Sequence, residues 1–148
     1  MLESRGLIWS ETRVLDCFAG SGSLGLEALS RGARTAWFVE KTRQASRNIH
    51  RNCLDLEIGP QRCRVLTRDA FQVLDKADLD LFHLAFVDPP YGKGYALPAL
   101  RRIGRLMEPG GYVVSEVESD LDFQSAVLSD LHLELDRTYG QTRIGLWI

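Results

Sequence analysis

The sequence predicts an α/β fold in which a mostly parallel sheet is covered by helices on both faces. Three observations carry that expectation. Short apolar segments alternate with segments of helical period along the chain. A glycine-dense turn directly follows the first apolar segment, and the last two apolar segments lie too close together for a helix between them. Alternating strands and helices require crossover connections and therefore parallel neighbours. A short turn permits only antiparallel pairing, so the closing pair of strands differs from the rest.

The elements follow in order. Residues 13–18 read as a first strand that runs into Gly20-Ser21-Gly22-Ser23-Leu24-Gly25, which opens a helix. Leu24, Leu26, Ala28 and Leu29 give that helix its apolar surface, and Gly32 is its stop. Residues 35–39 form a second strand ending at Glu40. Residues 41–54 form a polar surface helix with a buried stripe expected at Ala45, Ile49 and Cys53. A third strand, 64–67, leads to Asp69 and a short helix at 70–74. Residues 81–87 are the most continuously apolar, as suits the centre of a parallel sheet, and they stop at Asp88-Pro89-Pro90-Tyr91. A helix is expected over 95–107, where Pro98 is tolerable only near the first turn. Pro109-Gly110-Gly111 then turns the chain into a strand at 112–117. A weak helix at 123–128 precedes two closing strands, 131–138 and 143–148, joined at Gly140. No repeat or linker interrupts the chain, so residues 1–148 read as a single domain.

Composition narrows the function. A chain of 148 residues suits one substantial core. No apolar run reaches the ~20 residues of a membrane-spanning helix, and the start lacks a signal-peptide core. A cytoplasmic location away from membranes is therefore the expectation. Cys17, Cys53 and Cys63 are odd in number and lack metal-site spacing, so they read as reduced structural thiols and no metal is expected. His50, His83 and His132 form no ligand motif, and Ser21 and Ser23 lack the setting of a hydrolase triad. The formal net charge is −2, but residues 1–68 hold 11 Lys and Arg against 7 Asp and Glu, while residues 69–148 hold 7 against 13. That asymmetry would give one basic face for phosphates if it is also a split in space.

The glycine turn has the spacing G-x-G-x-x-G, at Gly20, Gly22 and Gly25. In dinucleotide enzymes such a loop hands a pyrophosphate to a helix N-terminus. Asp16, four residues earlier, suits a cationic or hydrogen-bond-donating ligand better than a diphosphate. S-adenosylmethionine is such a ligand. Glu40 ends the second strand, where a carboxylate can accept from both ribose hydroxyls, a solution that dinucleotide proteins share. Asp69 can accept from an adenine amino group and the Ala70 amide can serve a ring nitrogen. Taken alone, Glu40 and Asp69 also read as solvated strand ends or helix caps.

Asp88-Pro89-Pro90-Tyr91 is the sharpest feature. The prolines stiffen the chain after a central strand and bias Asp88 toward an extended conformation. Asp88 and the Pro89 carbonyl can then hold both hydrogens of an exocyclic amine and direct its lone pair toward a methyl group. Tyr91 offers a ring for stacking on a base. Trp9, Trp37, Phe86 and Trp147 read as packing residues, and Arg101, Arg102 and Arg105 as a solvated helical face.

The block from Asp16-Cys17-Phe18-Ala19-Gly20-Ser21-Gly22 through Ser30-Arg31-Gly32-Ala33 resembles the cofactor segment of the bacterial 16S ribosomal RNA guanine-N2 methyltransferase family. Phe38-Val39-Glu40, Asn52, Asp69-Ala70, Asp88-Pro89-Pro90-Tyr91, Gly94 and Arg137-Thr138-Tyr139-Gly140-Gln141-Thr142 fit the same pattern. The resemblance implies a Rossmann-like class I methyltransferase fold with seven strands and S-adenosylmethionine as donor. By similarity, Asp16, Ala19, Gly20, Gly22, Glu40, Asp69 and Ala70 surround the cofactor, and Asp88, Pro89 and Tyr91 hold a flipped guanine. The implied partner is small-subunit ribosomal RNA or the assembling 30S particle, with no obligate protein partner. The resemblance also implies a further basic N-terminal segment before Met1. Weak RNA affinity and slow turnover are therefore expected from residues 1–148 alone.

Three other readings fit parts of the pattern. An N6-adenine methyltransferase has an amine of the same geometry, although no inserted base-recognition domain is evident. A protein-glutamine methyltransferase also acts on a planar nitrogen, but Asp at position 88 and the long glycine block weigh against it. A non-catalytic RNA-binding or assembly module that retains the fold is the alternative from another class.

Overall fold

The computed structural model describes residues 2–76, 79–124 and 128–148. Seven strands form one sheet: β1 (Arg13–Asp16), β2 (Thr35–Val39), β3 (Cys63–Leu66), β4 (Phe82–Val87), β5 (Met107–Glu118), β6 (Leu133–Tyr139) and β7 (Thr142–Trp147), in the order β3-β2-β1-β4-β5-β7-β6. The pairs β1–β2, β2–β3, β1–β4 and β4–β5 are parallel, and β7 runs antiparallel to both β5 and β6. The mostly parallel sheet and the antiparallel closing pair therefore stand as expected. Among the described residues four α-helices complete the layers: α1 (Ser23–Ser30), α2 (Arg43–Asp55), α3 (Ala70–Leu74) and α4 (Ala96–Ile103).

Strand alternation sends neighbouring residues to opposite layers. Val14 packs with Leu26, Leu29 and Ile49 under α1 and α2, whereas Leu15 packs with Val73, Leu100 and Ile103 under α3 and α4. Both sheet faces are thus covered, which explains why β4 is apolar nearly throughout. The chain leaves β1 toward β2 and β3, then returns to β1's other side with β4. That reversal opens a crevice at the carboxyl ends of β1 and β4.

Several local expectations shift. The buried stripe of α2 is Ser46, Ile49 and Cys53, and Ala45 is only partly covered. Helix α4 stops at Ile103 and a 3-10 turn, Gly104–Leu106, follows it. Met107, expected in the helix, pairs with Phe82 in the sheet. The next pair is Leu84 with Tyr112, so residues 108–111 loop out of the β5 ladder rather than preceding it. Cys53 and Cys63 bring their sulfur atoms into contact and so join α2 to β3, which corrects the reading of three separate reduced thiols; Cys17 is free and buried. Residues 125–127 of the expected helix at 123–128 lie outside the described residues.

Two glycines fix how α1 meets the sheet. Gly22 adopts a positive φ of 79°, a region that disfavours side chains. Gly25 lies against Phe38 so closely that a Cβ there would collide with the ring, reaching Cζ at 2.9 Å. Phe38 is fully buried and has no open space to retreat into. Gly25→Ala is expected to cost about 1–3 kcal/mol, the usual range for overpacking a filled core. Urea unfolding of the purified variant measures this, and an unchanged midpoint would show that the Phe38 ring gives way freely.

Candidate active site

The crevice at the strand ends has a volume of about 410 Å³, within the range of small-molecule sites. Its floor and rim come from the glycine turn, the ends of β2 and β4, the start of α3 and the approach to α4. Six of the residues singled out in the sequence line it: Ala19, Gly20, Glu40, Asp69, Ala70 and Asp88. Asp16, Gly22, Pro89 and Tyr91 stand behind or beside them. The wall also includes Phe18, Lys41, Arg68, Pro90 and Tyr95.

Asp16 is almost fully buried beneath the glycine turn, where its Oδ2 accepts from the Gly25 N–H at 3.0 Å. Burial pushes its carboxyl up to about 7; the Gly25 bond opposes that rise, while the nearby charges of Asp88 and Glu40 add to it. Glu40 bridges two segments: Oε2 accepts from Gly20 N at 2.9 Å, and Oε1 accepts from Thr42 N at 3.0 Å and from its hydroxyl at 3.1 Å. Asp69 caps α3, its Oδ1 accepting from Phe71 N at 2.9 Å. The capping reading and the ligand reading are compatible, because a carboxylate has roughly four lone-pair sites. At Gly20, with φ of 55°, a Cβ would meet nothing within 4 Å, so the backbone there borders open crevice.

Asp88 ends β4 and is half-buried. Desolvation, reinforced by the charge of Glu116, raises its carboxyl to about 6. The loop that follows is pinned from the antiparallel side of the sheet. The Tyr91 hydroxyl lies 2.8 Å from Thr142 Oγ1, and Gly92 N donates to Glu118 Oε1 at 2.5 Å. Tyr91 is 44% exposed beside the crevice rather than inside it.

Tyr95 is one of the crevice residues, with Phe18, Lys41 and Arg68, to which sequence reasoning gives no role. Its ring stacks on Phe18 with centroids 6.3 Å apart and planes 9° from parallel, and Phe71 meets both edge-on. Arg102, paired with Asp75, lies over Phe71. The only signal in the sequence is an aromatic residue immediately before α4, which periodicity assigns to helix packing.

This sheet order and crevice define the fold of the class I S-adenosylmethionine-dependent methyltransferases. A ribosomal protein L11 methylase from Lactobacillus delbrueckii subsp. bulgaricus shares it with a TM-score of 0.80 over 98% of this chain and 72% of that one, at 15% identity, a likeness of fold alone. The chain belongs to the family described as conserved hypothetical protein 95, whose model matches residues 1–148. It is 34% identical over 145 residues to ribosomal RNA small subunit methyltransferase D of Escherichia coli (strain K12), covering 93% of this chain and 68% of that protein. A candidate methylase of Haemophilus influenzae, HI0767, superposes with a TM-score of 0.86 at 26% identity, over 94% of this chain and 87% of that one. The family resemblance drawn from the glycine block and Asp88-Pro89-Pro90-Tyr91 is thereby supported.

The buried Asp16 has a consequence for stability. Its folded pKa lies above the ordinary value of 3.8, so the folded state holds this proton more tightly than the unfolded chain. Stability contributed by the protonated carboxyl is complete below about pH 4 and is lost as pH rises toward 7. Asp16→Asn is neutral throughout and keeps an acceptor for Gly25. Between those pH values, unfolding free energy should fall in the parent relative to this variant, by up to about 1.4 kcal/mol per pH unit. Parallel stability curves from urea titrations would remove the role assigned to this carboxyl.

Proposed function

We propose that residues 1–148 act as a single methyltransferase domain that moves a methyl group from S-adenosylmethionine to the exocyclic N2 of a guanine in small-subunit ribosomal RNA. The observation that carries this reading is Asp88-Pro89-Pro90-Tyr91 at the carboxyl end of the central strand, opening onto a crevice lined by Glu40 and Asp69. The relation to ribosomal RNA small subunit methyltransferase D supports the choice of RNA. Nothing in the reading requires a metal.

The residues present fit an adenosine-bearing cation. Glu40 retains lone pairs for two ribose hydroxyls while it braces Gly20 and Thr42. The second oxygen of Asp69 and the Ala70 amide can serve an adenine edge. The open backbone at Gly20 admits the ligand's chain, and Asp16 supplies negative potential for its cationic groups. When bound, S-adenosylmethionine supplies an electrophilic methyl group. Asp88 and the Pro89 carbonyl accept the two amine hydrogens, which turns the nitrogen lone pair out of ring conjugation. Methyl transfer would form the new N–C bond as the sulfonium's bond to that methyl breaks, leaving S-adenosylhomocysteine, and the cationic nitrogen would pass its proton to Asp88 or to water. Tyr91, held by Thr142, and the Phe18–Tyr95 stack offer aromatic surfaces on two sides of that position.

Two outcomes are expected. Glu40→Ala should weaken S-adenosylmethionine binding at least tenfold, because charge-assisted bonds are worth about 1.5–3 kcal/mol each. Calorimetry on the folded variant checks this, and unchanged affinity would sink the ribose role. Asp88→Ala should leave cofactor affinity nearly intact while reducing methyl transfer by about 10²-fold or more. In the parent, kcat should rise with pH through about 6 as Asp88 ionises. Labelled methyl transfer to unmodified small subunits and naked ribosomal RNA, followed by nucleoside identification, tests the whole reading. N2-methylguanosine is the expected product; N6-methyladenosine would reassign the base, and no product would leave a binding module.

A further inference from the structure

Three arginines on α2 take no part in the fold or the crevice. Arg43, Arg47 and Arg51 recur at every fourth position and are all exposed, while the buried stripe of the same helix is Ser46, Ile49 and Cys53. Four residues of helix rise about 6 Å, so the three side chains form a ladder on successive turns. Other arginines of this chain are neutralised locally: Arg13 by Glu108, Arg102 and Arg105 by Asp75, Arg143 by Asp136. Among the described residues no carboxylate pairs with Arg43, Arg47 or Arg51, and α2 has no acidic residue before its last, Asp55. Like charges at this spacing weaken a helix. A protein of net charge −2 thus keeps an uncompensated cationic row at a cost in stability.

The row lies next to the crevice. A groove lined by Gly20, Ser21, Ala45, Asn48, Arg51 and Asn52 separates α2 from the glycine turn, and Gly20 and Ser21 also line the cofactor crevice. Lys41, just before α2, lines the crevice itself. Cationic side chains therefore follow one another from Lys41 at the crevice along the exposed face of α2 to Arg51, where the Asn48 and Asn52 amides share the groove. Guanidinium groups suit phosphate oxygens, which they bind through paired N–H donors.

We infer that the Arg43–Arg47–Arg51 ladder is the track for the phosphodiester backbone of the nucleic-acid substrate, holding the strand that flanks the target base. The inference rests on the reading that the substrate is RNA and adds the surface that grips it. The ladder positions the strand and does not contact the reacting nitrogen. It therefore acts on RNA affinity and its salt dependence, and not on the methyl-transfer step.

The test compares the parent chain with the triple variant Arg43→Gln/Arg47→Gln/Arg51→Gln on a small-subunit ribosomal RNA fragment, with S-adenosylmethionine saturating and salt varied over roughly 50 to 200 mM. The variant should melt no lower than the parent, since the like-charge repulsion along α2 is relieved, and should bind S-adenosylmethionine as the parent does. Its KM for RNA should rise about tenfold or more at the lower salt, with kcat at saturating RNA unchanged. The slope of log Kd against log salt should become shallower by about 2, as expected from the loss of two to three phosphate contacts. The corresponding triple Lys variant should recover most of the slope, since lysine retains the charge. A folded, cofactor-binding Gln variant with the parent's KM and salt slope overturns the inference. So does a defect confined to assembled particles with naked-RNA binding unaltered, which would assign the ladder to a ribosomal protein. Absence of methyl transfer by the parent, with salt-dependent RNA binding still lost in the variant, would refute the enzymatic reading and leave the track standing.

Discussion

The bond between the buried Asp16 carboxyl and the Gly25 amide is the constraint on which the cofactor side of the molecule depends. It fixes the end of β1 to the first turn of α1, so the intervening turn has little freedom in where it crosses the sheet edge. Gly25 then sits on Phe38, and Gly22 on Ile49, which sets α1 against β2 and α2. Glu40 closes the arrangement by reaching from the end of β2 back to Gly20. Two carboxyls and two close-packed glycines thus position four elements and the rim of the crevice.

The same region concentrates acidic groups. Asp16 and Asp88 both sit above ordinary carboxyl values, mainly because burial penalises their charged forms. The like charges around them add to that. A fold selected for stability alone would not gather these groups; a site for a cationic, hydrogen-bond-donating ligand would, since such a ligand relieves the repulsion when it binds. The basic ladder of α2 is the opposite electrostatic solution on the neighbouring surface. Segregating the two signs lets one small domain present one potential to its cofactor and another to a polyanion.

Much of this was legible in the sequence for reasons that can be named. Strand–turn–helix periodicity located β1, the glycine turn and α1, and the short spacing around Gly140 forced the antiparallel pair. Asp69 was placed at the start of α3 because a capping residue before a helical run has a local chemical signature. What periodicity missed depends on contacts distant in sequence. Met107 is drawn out of helix and into the sheet by Phe82, 25 positions earlier. Cys53 and Cys63 meet only because α2 folds back along β3. Tyr95 enters the crevice wall because Phe18 and Phe71 stand where α4 begins, and Tyr91 turns aside because its hydroxyl shares a hydrogen bond with that of Thr142. The arginine ladder was visible only as a charge imbalance until the helix put its members on one face.

The sheet order gives the assembly of the site a direction in time. β7 follows β6 in the chain yet lies between β5 and β6, so β6 has no partner in the sheet until β7 arrives. Thr142, at the start of β7, is also the residue that holds the Tyr91 loop. During synthesis, then, every residue that lines the crevice, the last of them Tyr95, has been added well before Thr142, the anchor of the loop at Tyr91. The half that would receive a methyl donor is synthesised early, and the half that would hold a target is finished only when the final hairpin closes.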